Sequence, residues 1–182
     1  MKSAQEAIET NMKSRIRDVA DFPKPGILFK DLSPVLKDTQ LSKEIVTFLA
    51  ETLAPLKPDA LACLESRGFW YGMPLALALG IPMIPLRKAG KLPYACLTEE
   101  YALEYGTAQL QMHTDALQKG WKVLIHDDLL ATGGTAEAAT KLIQKAGATV
   151  CGYSFLVELD FLKGRKVLEA HHEMIHALVK YE

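Results

Sequence analysis

The stretch from Val123 to Gly147 constrains this chain more than any other. It reads Val-Leu-Ile-His-Asp-Asp-Leu-Leu-Ala-Thr-Gly-Gly-Thr, then a helical pattern that stops at Gly147. A short aliphatic run, an acidic pair at its C-terminal end, a glycine turn flanked by threonines and an amphipathic run predict strand, turn and helix in succession. In an open α/β sheet, ligands bind at such junctions, beyond the carboxyl ends of the strands. A helix N-terminus presents unpaired N–H groups and the positive end of a dipole to an anion. Gly133 and Gly134 let the backbone approach closely, and Thr132 and Thr135 add hydroxyls. Asp127 and Asp128 would repel a phosphate, yet their oxygens accept from vicinal hydroxyls. Together these groups suit a 5-phosphorylated ribose lying along the loop.

Other nucleotide motifs fit less well. A Walker A loop needs a lysine before its Ser/Thr, and none occurs between Lys122 and Lys141. The dinucleotide fingerprint needs spaced glycines with an acid downstream, whereas here the glycines adjoin and the acids come first. Helix capping alone would not call for two acids, two glycines and two threonines.

With 182 residues, 49% of them apolar, the chain is expected to form one α/β domain over 1–182. A formal net charge of −1 argues against bulk nucleic-acid binding. Cys63, Cys96 and Cys151 form no C-x-x-C pair and read as reduced thiols of a cytoplasmic protein. The N-terminus lacks the apolar core of a secretory signal. Gly68 to Leu86 carries no charge over a length near the roughly 18 residues of a membrane span. Gly72, Pro74, Gly80, Pro82 and Pro85 interrupt it, so a buried helix and then a buried strand are predicted, with no membrane partner.

Ser3 and Glu6 form a capping-box pattern ahead of a helical face at Ile8, Met12, Ile16 and Val19. Two prolines and a glycine then make Phe22 to Asp31 a loop bearing two phenylalanines. A helix is predicted over Asp38 to Leu53, with Leu41, Ile45, Phe48 and Leu49 inward. Ala60 to Leu64 is a strand ending in Glu65-Ser-Arg-Gly-Phe69, which puts Arg67 where an anionic substrate binds. A helix over Phe69 to Leu79 and a strand over Ile81 to Leu86 lead to Arg87, Lys88 and Lys91. Because the phosphate loop contains no cation, these are candidates for a pyrophosphate leaving group. Pro93 to Gly106 reads as a hairpin or a flap, Ala108 to Met112 as a strand, Thr149 to Leu159 as a strand, Phe161 to Ala170 as one or two helical turns and Met174 to Tyr181 as the last strand. His126, within an aliphatic strand, is expected to be a core histidine with a satisfied hydrogen bond.

His172-Glu-Met-Ile-His176 matches the H-E-x-x-H zinc signature, which requires a helix. Only six residues follow His176, too few for the usual third ligand, and the segment is rich in strand formers. As a strand it would hold the two histidines roughly 13 Å apart, too far to share an ion.

Val123 to Thr135 resembles the ribose-phosphate motif of the type I phosphoribosyltransferases. Phe22-Pro-Lys-Pro-Gly-Ile-Leu-Phe29, Glu65 to Phe69, Arg87 to Pro93 and Tyr101-Ala-Leu-Glu-Tyr-Gly106 extend the likeness, in the family's order, to its adenine-specific members over nearly the whole chain. The resemblance implies that family's fold: a mostly parallel central sheet flanked by helices, a hood over about 1–35 and a flap over about 93–106. It implies conversion of adenine and 5-phosphoribosyl 1-pyrophosphate to AMP and pyrophosphate in purine salvage, with Mg²⁺ carried by the donor and a homodimeric assembly. In that scheme Leu28 offers its backbone to adenine, Phe29 stacks on the ring, and Leu129 or Leu130 lines the opposite face. Ala131, Thr132, Gly133, Gly134 and Thr135 hold the 5-phosphate, and Asp127 and Asp128 the ribose. Arg67, Arg87, Lys88 and Lys91, with Lys30 and Tyr105, serve pyrophosphate binding and closure. Glu104 receives the proton of the base, and Arg67 also stands at the reacting centre. Lys30 occupies a position where the family often has arginine, which keeps the charge but loses the planar fork. A non-catalytic sensor of the donor on the same fold is the second reading, and a metalloprotease the third.

Overall fold

The structure is a computed structural model that describes residues 2–102 and 107–182. From the N-terminus the chain forms α1 (Lys2–Arg15), β1 (Arg17–Ala20), β2 (Leu28–Asp31), α2 (Ser33–Leu36), α3 (Thr39–Leu53), β3 (Ala60–Leu64), α4 (Gly68–Leu79), β4 (Met83–Lys88), β5 (Cys96–Ala102) and β6 (Thr107–His113). Then follow β7 (Lys122–Leu130), α5 (Gly134–Lys145), β8 (Thr149–Leu159), α6 (Gly164–Glu169) and β9 (Ile175–Tyr181).

Seven strands make one sheet in the order β5-β6-β4-β3-β7-β8-β9, and β1 pairs with β2 in a separate two-stranded sheet. Strands β4, β3, β7, β8 and β9 are parallel, while β6 runs antiparallel to both β4 and β5. Apolar side chains leave both faces of the central strands. Ala60, Ala62, Val123 and Ile125 pack with α5 and α6, whereas Leu61, Cys63 and Leu124 pack with α1, α3 and α4. This is the fold the family resemblance implied. From β3 the chain turns one way to β4 and later the other way to β7, so the crevice between the carboxyl ends of β3 and β7 is the topological switch point.

Local chemistry explains most boundaries. Asp38 caps α3 by accepting from the Leu41 N–H at 2.9 Å, and Leu41, Ile45, Phe48, Leu49 and Leu53 form its buried face. Five expectations need correction. α1 is already helical at Lys2, so Ser3 stands inside it rather than capping it. Val19 belongs to β1, because its segment pairs with β2 in the register Val19↔Phe29, and this pairing also removes Leu28 to Asp31 from the predicted loop. β4 continues through Arg87 and Lys88, which pair with Gln111 and Leu110 of β6. β7 likewise runs past the acidic pair to Leu130, held by pairing of Leu129 with Val157. The H-E-x-x-H segment is a turn leading into β9, with His172 Nδ1 accepting from the Met174 N–H, so its histidines do not share a helix face.

Candidate active site

Beyond the carboxyl end of β7 a narrow cleft of about 70 Å³ is lined by Asp127, Leu129, the run from Leu130 to Ala136 and Phe155 of β8. Gly133 has φ +87°, a left-handed conformation that suits glycine and turns the chain from β7 into α5. The first N–H groups of α5 therefore open onto the floor of the cleft. Ala131, Thr132, Gly133, Gly134 and Thr135 are thus gathered as one loop beside Asp127.

The acidic pair sits deeper than a surface turn would. Asp128 is buried and Asp127 half-buried, and Asp127 Oδ1 accepts from the Asp128 N–H at 2.8 Å. Burial, and next the charge of Asp128, raise Asp127 well above the usual carboxylate range. Burial raises Asp128 as well, opposed chiefly by Arg67, whose Nε lies 2.9 Å from Asp128 Oδ2. The same guanidinium lies 5.1 Å from the centre of the Phe29 ring. One arginine after β3 therefore touches both an acid of β7 and the aromatic ring of β2.

Arg67 is placed by its neighbour. A Cβ at Gly68 would lie 2.9 Å from Asp127 Oδ1 and 3.1 Å from the His126 carbonyl oxygen, so α4 begins against β7 at a distance only glycine permits. The Glu65–Ser66 peptide in the preceding turn is cis. Glu65, overlooked as a site residue from the sequence, ties this turn to the basic run. Its Oε2 accepts from Arg87 Nε at 2.8 Å and from the Lys88 N–H at 3.2 Å. Arg87 also donates to the Lys91 carbonyl at 3.1 Å, and Gln111 Oε1 accepts from the Gly90 N–H at 3.0 Å. Lys88 and Lys91 are exposed beside this framework.

Lys30 lies elsewhere. Alternation along β2 sends it to the side opposite Phe29, where its Nζ is 2.6 Å from Asp18 Oδ1 and 4.2 Å from the centre of the Tyr181 ring. Leu28 is 52% exposed, and Phe22 packs edge-on against Phe29 at 5.1 Å. Glu104 and Tyr105 lie outside the described residues. His126 is buried with Nδ1 3.2 Å from Ser154 Oγ, while Nε2 makes no hydrogen bond, so its expected pairing holds for one nitrogen only. Burial pushes it down to about 4, which keeps it neutral at pH 7.

A glycine-rich loop, a carboxylate pair and an arginine thus meet at the switch point of a mostly parallel sheet. The phosphoribosyl transferase domain matches residues 35–173, and the chain belongs to that family. It is 59% identical to the adenine phosphoribosyltransferase of Cytophaga hutchinsonii over 181 residues, covering 100% of both chains. The crystal structure of adenine phosphoribosyltransferase from Thermoanaerobacter pseudethanolicus superposes with a TM-score of 0.91 at 48% identity, over 94% of this chain and 99% of that one. That of the Saccharomyces cerevisiae enzyme, complexed with an imino-altritol bisphosphate and adenine, gives 0.88 at 38% identity, over 95% and 99%. Within the family the chain stands among the adenine phosphoribosyltransferases.

Proposed function

We propose that this chain transfers the 5-phosphoribosyl group from phosphoribosyl pyrophosphate to adenine, releasing AMP and pyrophosphate in purine salvage. The observation that carries the reading is that the glycine loop and Asp127 line one cleft while the adjacent Asp128 holds Arg67, which lies over the Phe29 ring. The sensor reading draws no support from the relatives, which are enzymes.

In this scheme the loop from Ala131 to Thr135 binds the 5-phosphate through α5 N–H groups and threonine hydroxyls. Asp127 and Asp128 accept from the ribose hydroxyls and face the carbon at which positive charge develops as pyrophosphate departs. Arg67, Arg87, Lys88 and Lys91 receive the pyrophosphate, with Glu65 holding two of them in register. Adenine lies between Phe29 and Leu129, with the Leu28 backbone at its edge. Glu104 takes the proton from N9, and Tyr105 closes over the site. Lys30, engaged with Asp18 and Tyr181, braces the hood in this scheme instead of binding pyrophosphate.

The separate β1–β2 sheet supports a hood over about 1–35, and the β5–β6 arm supports a flap over about 93–106 that excludes water during transfer. Mg²⁺ enters on the donor. Asp127 and Asp128 fit that, since they offer acceptor oxygens to a hydrated ion. Among the described residues no three His, Cys, Asp or Glu side chains converge as a metal cage. The ion, when bound, neutralises charge on the departing pyrophosphate.

A homodimer is supported by α4, where Trp70, Met73 and Leu77 expose an apolar face at helical spacing. A cytoplasmic location is supported by three unpaired cysteines. No helix among the described residues is long and apolar enough to cross a membrane. The test supplies the donor, Mg²⁺ and each purine base in turn. AMP from adenine is expected, and no product with adenine, or a strong preference for hypoxanthine, overturns the reading.

A further inference from the structure

The phosphate loop is backed by the start of α6. A Cβ at Gly164 would collide with the Ala131 carbonyl oxygen and lie 2.9 Å from Gly133 N. In return, a Cβ at Gly133 would lie 2.8 Å from the Gly164 carbonyl oxygen. Two glycine backbones therefore touch without a side chain between them, and any displacement of one is felt by the other.

What holds α6 in place is the next residue. Arg165 binds Glu158 in a fork, with Nε to Oε1 at 2.8 Å and Nη2 to Oε2 at 2.6 Å, and its Nη1 donates to the Ile175 carbonyl at 3.0 Å. Glu158 is buried near the end of β8, and Lys180 Nζ lies 3.4 Å from its Oε2. The planar guanidinium thus spans two strands through three hydrogen bonds, a geometry that a lysine cannot reproduce. Nothing in this arrangement reaches the cleft directly. Its effect is transmitted through the Gly164 backbone to Ala131 and Gly133.

We propose that Gly164 and Arg165 are positioning residues for the 5-phosphate subsite: the Glu158–Arg165 fork fastens α6 to the sheet, and Gly164 passes that rigidity to the loop. The loop's N–H groups are then set before the donor arrives, which lowers the ordering cost of binding. This rests on the assignment of Ala131 to Thr135 as the phosphate loop.

The test compares Gly164→Ala, Arg165→Lys, Arg165→Met and, as a direct loop variant, Thr135→Val in the full chain. Steady-state KM is read for the donor and for adenine, and binding of ribose 5-phosphate is followed by titration. Gly164→Ala and Arg165→Met should raise the donor KM and the ribose 5-phosphate Kd about tenfold or more, since a 1 Å misplacement costs on the order of 100-fold. The adenine KM should stay put, and Arg165→Lys should fall between wild type and Arg165→Met. A purely architectural role would lower the active fraction and kcat while leaving both KM values alone. If Gly164→Ala does not fold, Arg165→Lys still decides the matter. Unchanged donor KM and ribose 5-phosphate affinity in Arg165→Lys and Arg165→Met, or equal rises for donor and adenine, overturn the inference. If Thr135→Val also leaves ribose 5-phosphate binding unchanged, the phosphate-loop assignment itself fails. A Thr135→Val effect without an Arg165 effect sinks only the positioning role.

Discussion

Gly68→Ala should couple a small steric insult to a large catalytic loss. The added methyl carbon would sit 2.9 Å from Asp127 Oδ1, 3.1 Å from the His126 carbonyl oxygen and 3.2 Å from Asp127 Cα, where ordinary contact begins at 3.4 Å. Two of those three atoms belong to the main chain of β7, which is paired with β3 on one side and β8 on the other. Such a strand does not yield, so the start of α4 must retreat by roughly 0.5 Å and take Arg67 with it. Overpacking costs about 1–3 kcal/mol, and exchanging glycine for alanine in a helix returns up to about 1, so a net loss of roughly 1–2 kcal/mol is expected. Half the displacement that costs about 100-fold in rate implies about tenfold in kcat/KM for the donor. Urea unfolding at fixed protein concentration reads the first quantity, and initial rates at saturating adenine read the second. A variant that loses stability but keeps the wild-type kcat/KM would refute the claim that Gly68 sets the position of Arg67.

Three further outcomes are expected. Glu104→Gln should depress turnover far more than AMP affinity, and equal losses in the two would remove its role as proton acceptor. Glu65→Gln should raise the donor KM by up to about tenfold, as expected when a charged hydrogen-bond acceptor is neutralised, with adenine KM unchanged. His126, held at about 4 when folded against an ordinary 6.5, takes its proton first in the unfolded chain, so its contribution is complete above pH 6.5 and lost as pH falls towards 4. Between pH 7 and pH 5 that removes about 2 kcal/mol from wild type, and urea unfolding of His126→Gln should lack this component. Identical pH slopes in the two proteins would exclude the assignment.

The parts of the site that were legible in the sequence are those whose chemistry is local. Leu41, Ile45 and Leu49 announce a helix by spacing alone, and the double glycine after Asp128 announces a turn into a helix. The boundaries that moved did so because of partners distant in sequence. β7 extends to Leu130 because Leu129 meets Val157, and β4 reaches Lys88 because Leu110 lies beside it. Glu65 could not be recognised as a holder of the basic run, since its bonds to Arg87 and Lys88 exist only once β3 and β4 lie side by side. Gly164 is similarly silent: a glycine at the start of a short helix acquires meaning only where it meets Gly133. Lys30 reads as one more cation near the donor until β2 forms and alternation turns it towards Asp18 and Tyr181.

The burial of the acidic pair also explains why Arg67 is shared. Burial near the end of a central strand strips hydration from both carboxylates and favours their protonation, and the charge of Asp128 adds to this at Asp127. In the proposed reaction a protonated pair would stabilise positive charge on a ribose ring poorly, and a cation beside the pair offsets that cost. Arg67 does this from the side, reaching Asp128 through Nε and leaving Asp127 on the cleft wall. Its contact with Phe29 then ties β2 to the acidic end of β7 through one side chain. Lysine at this position would keep the charge on Asp128 but lose the flat face that meets the phenylalanine.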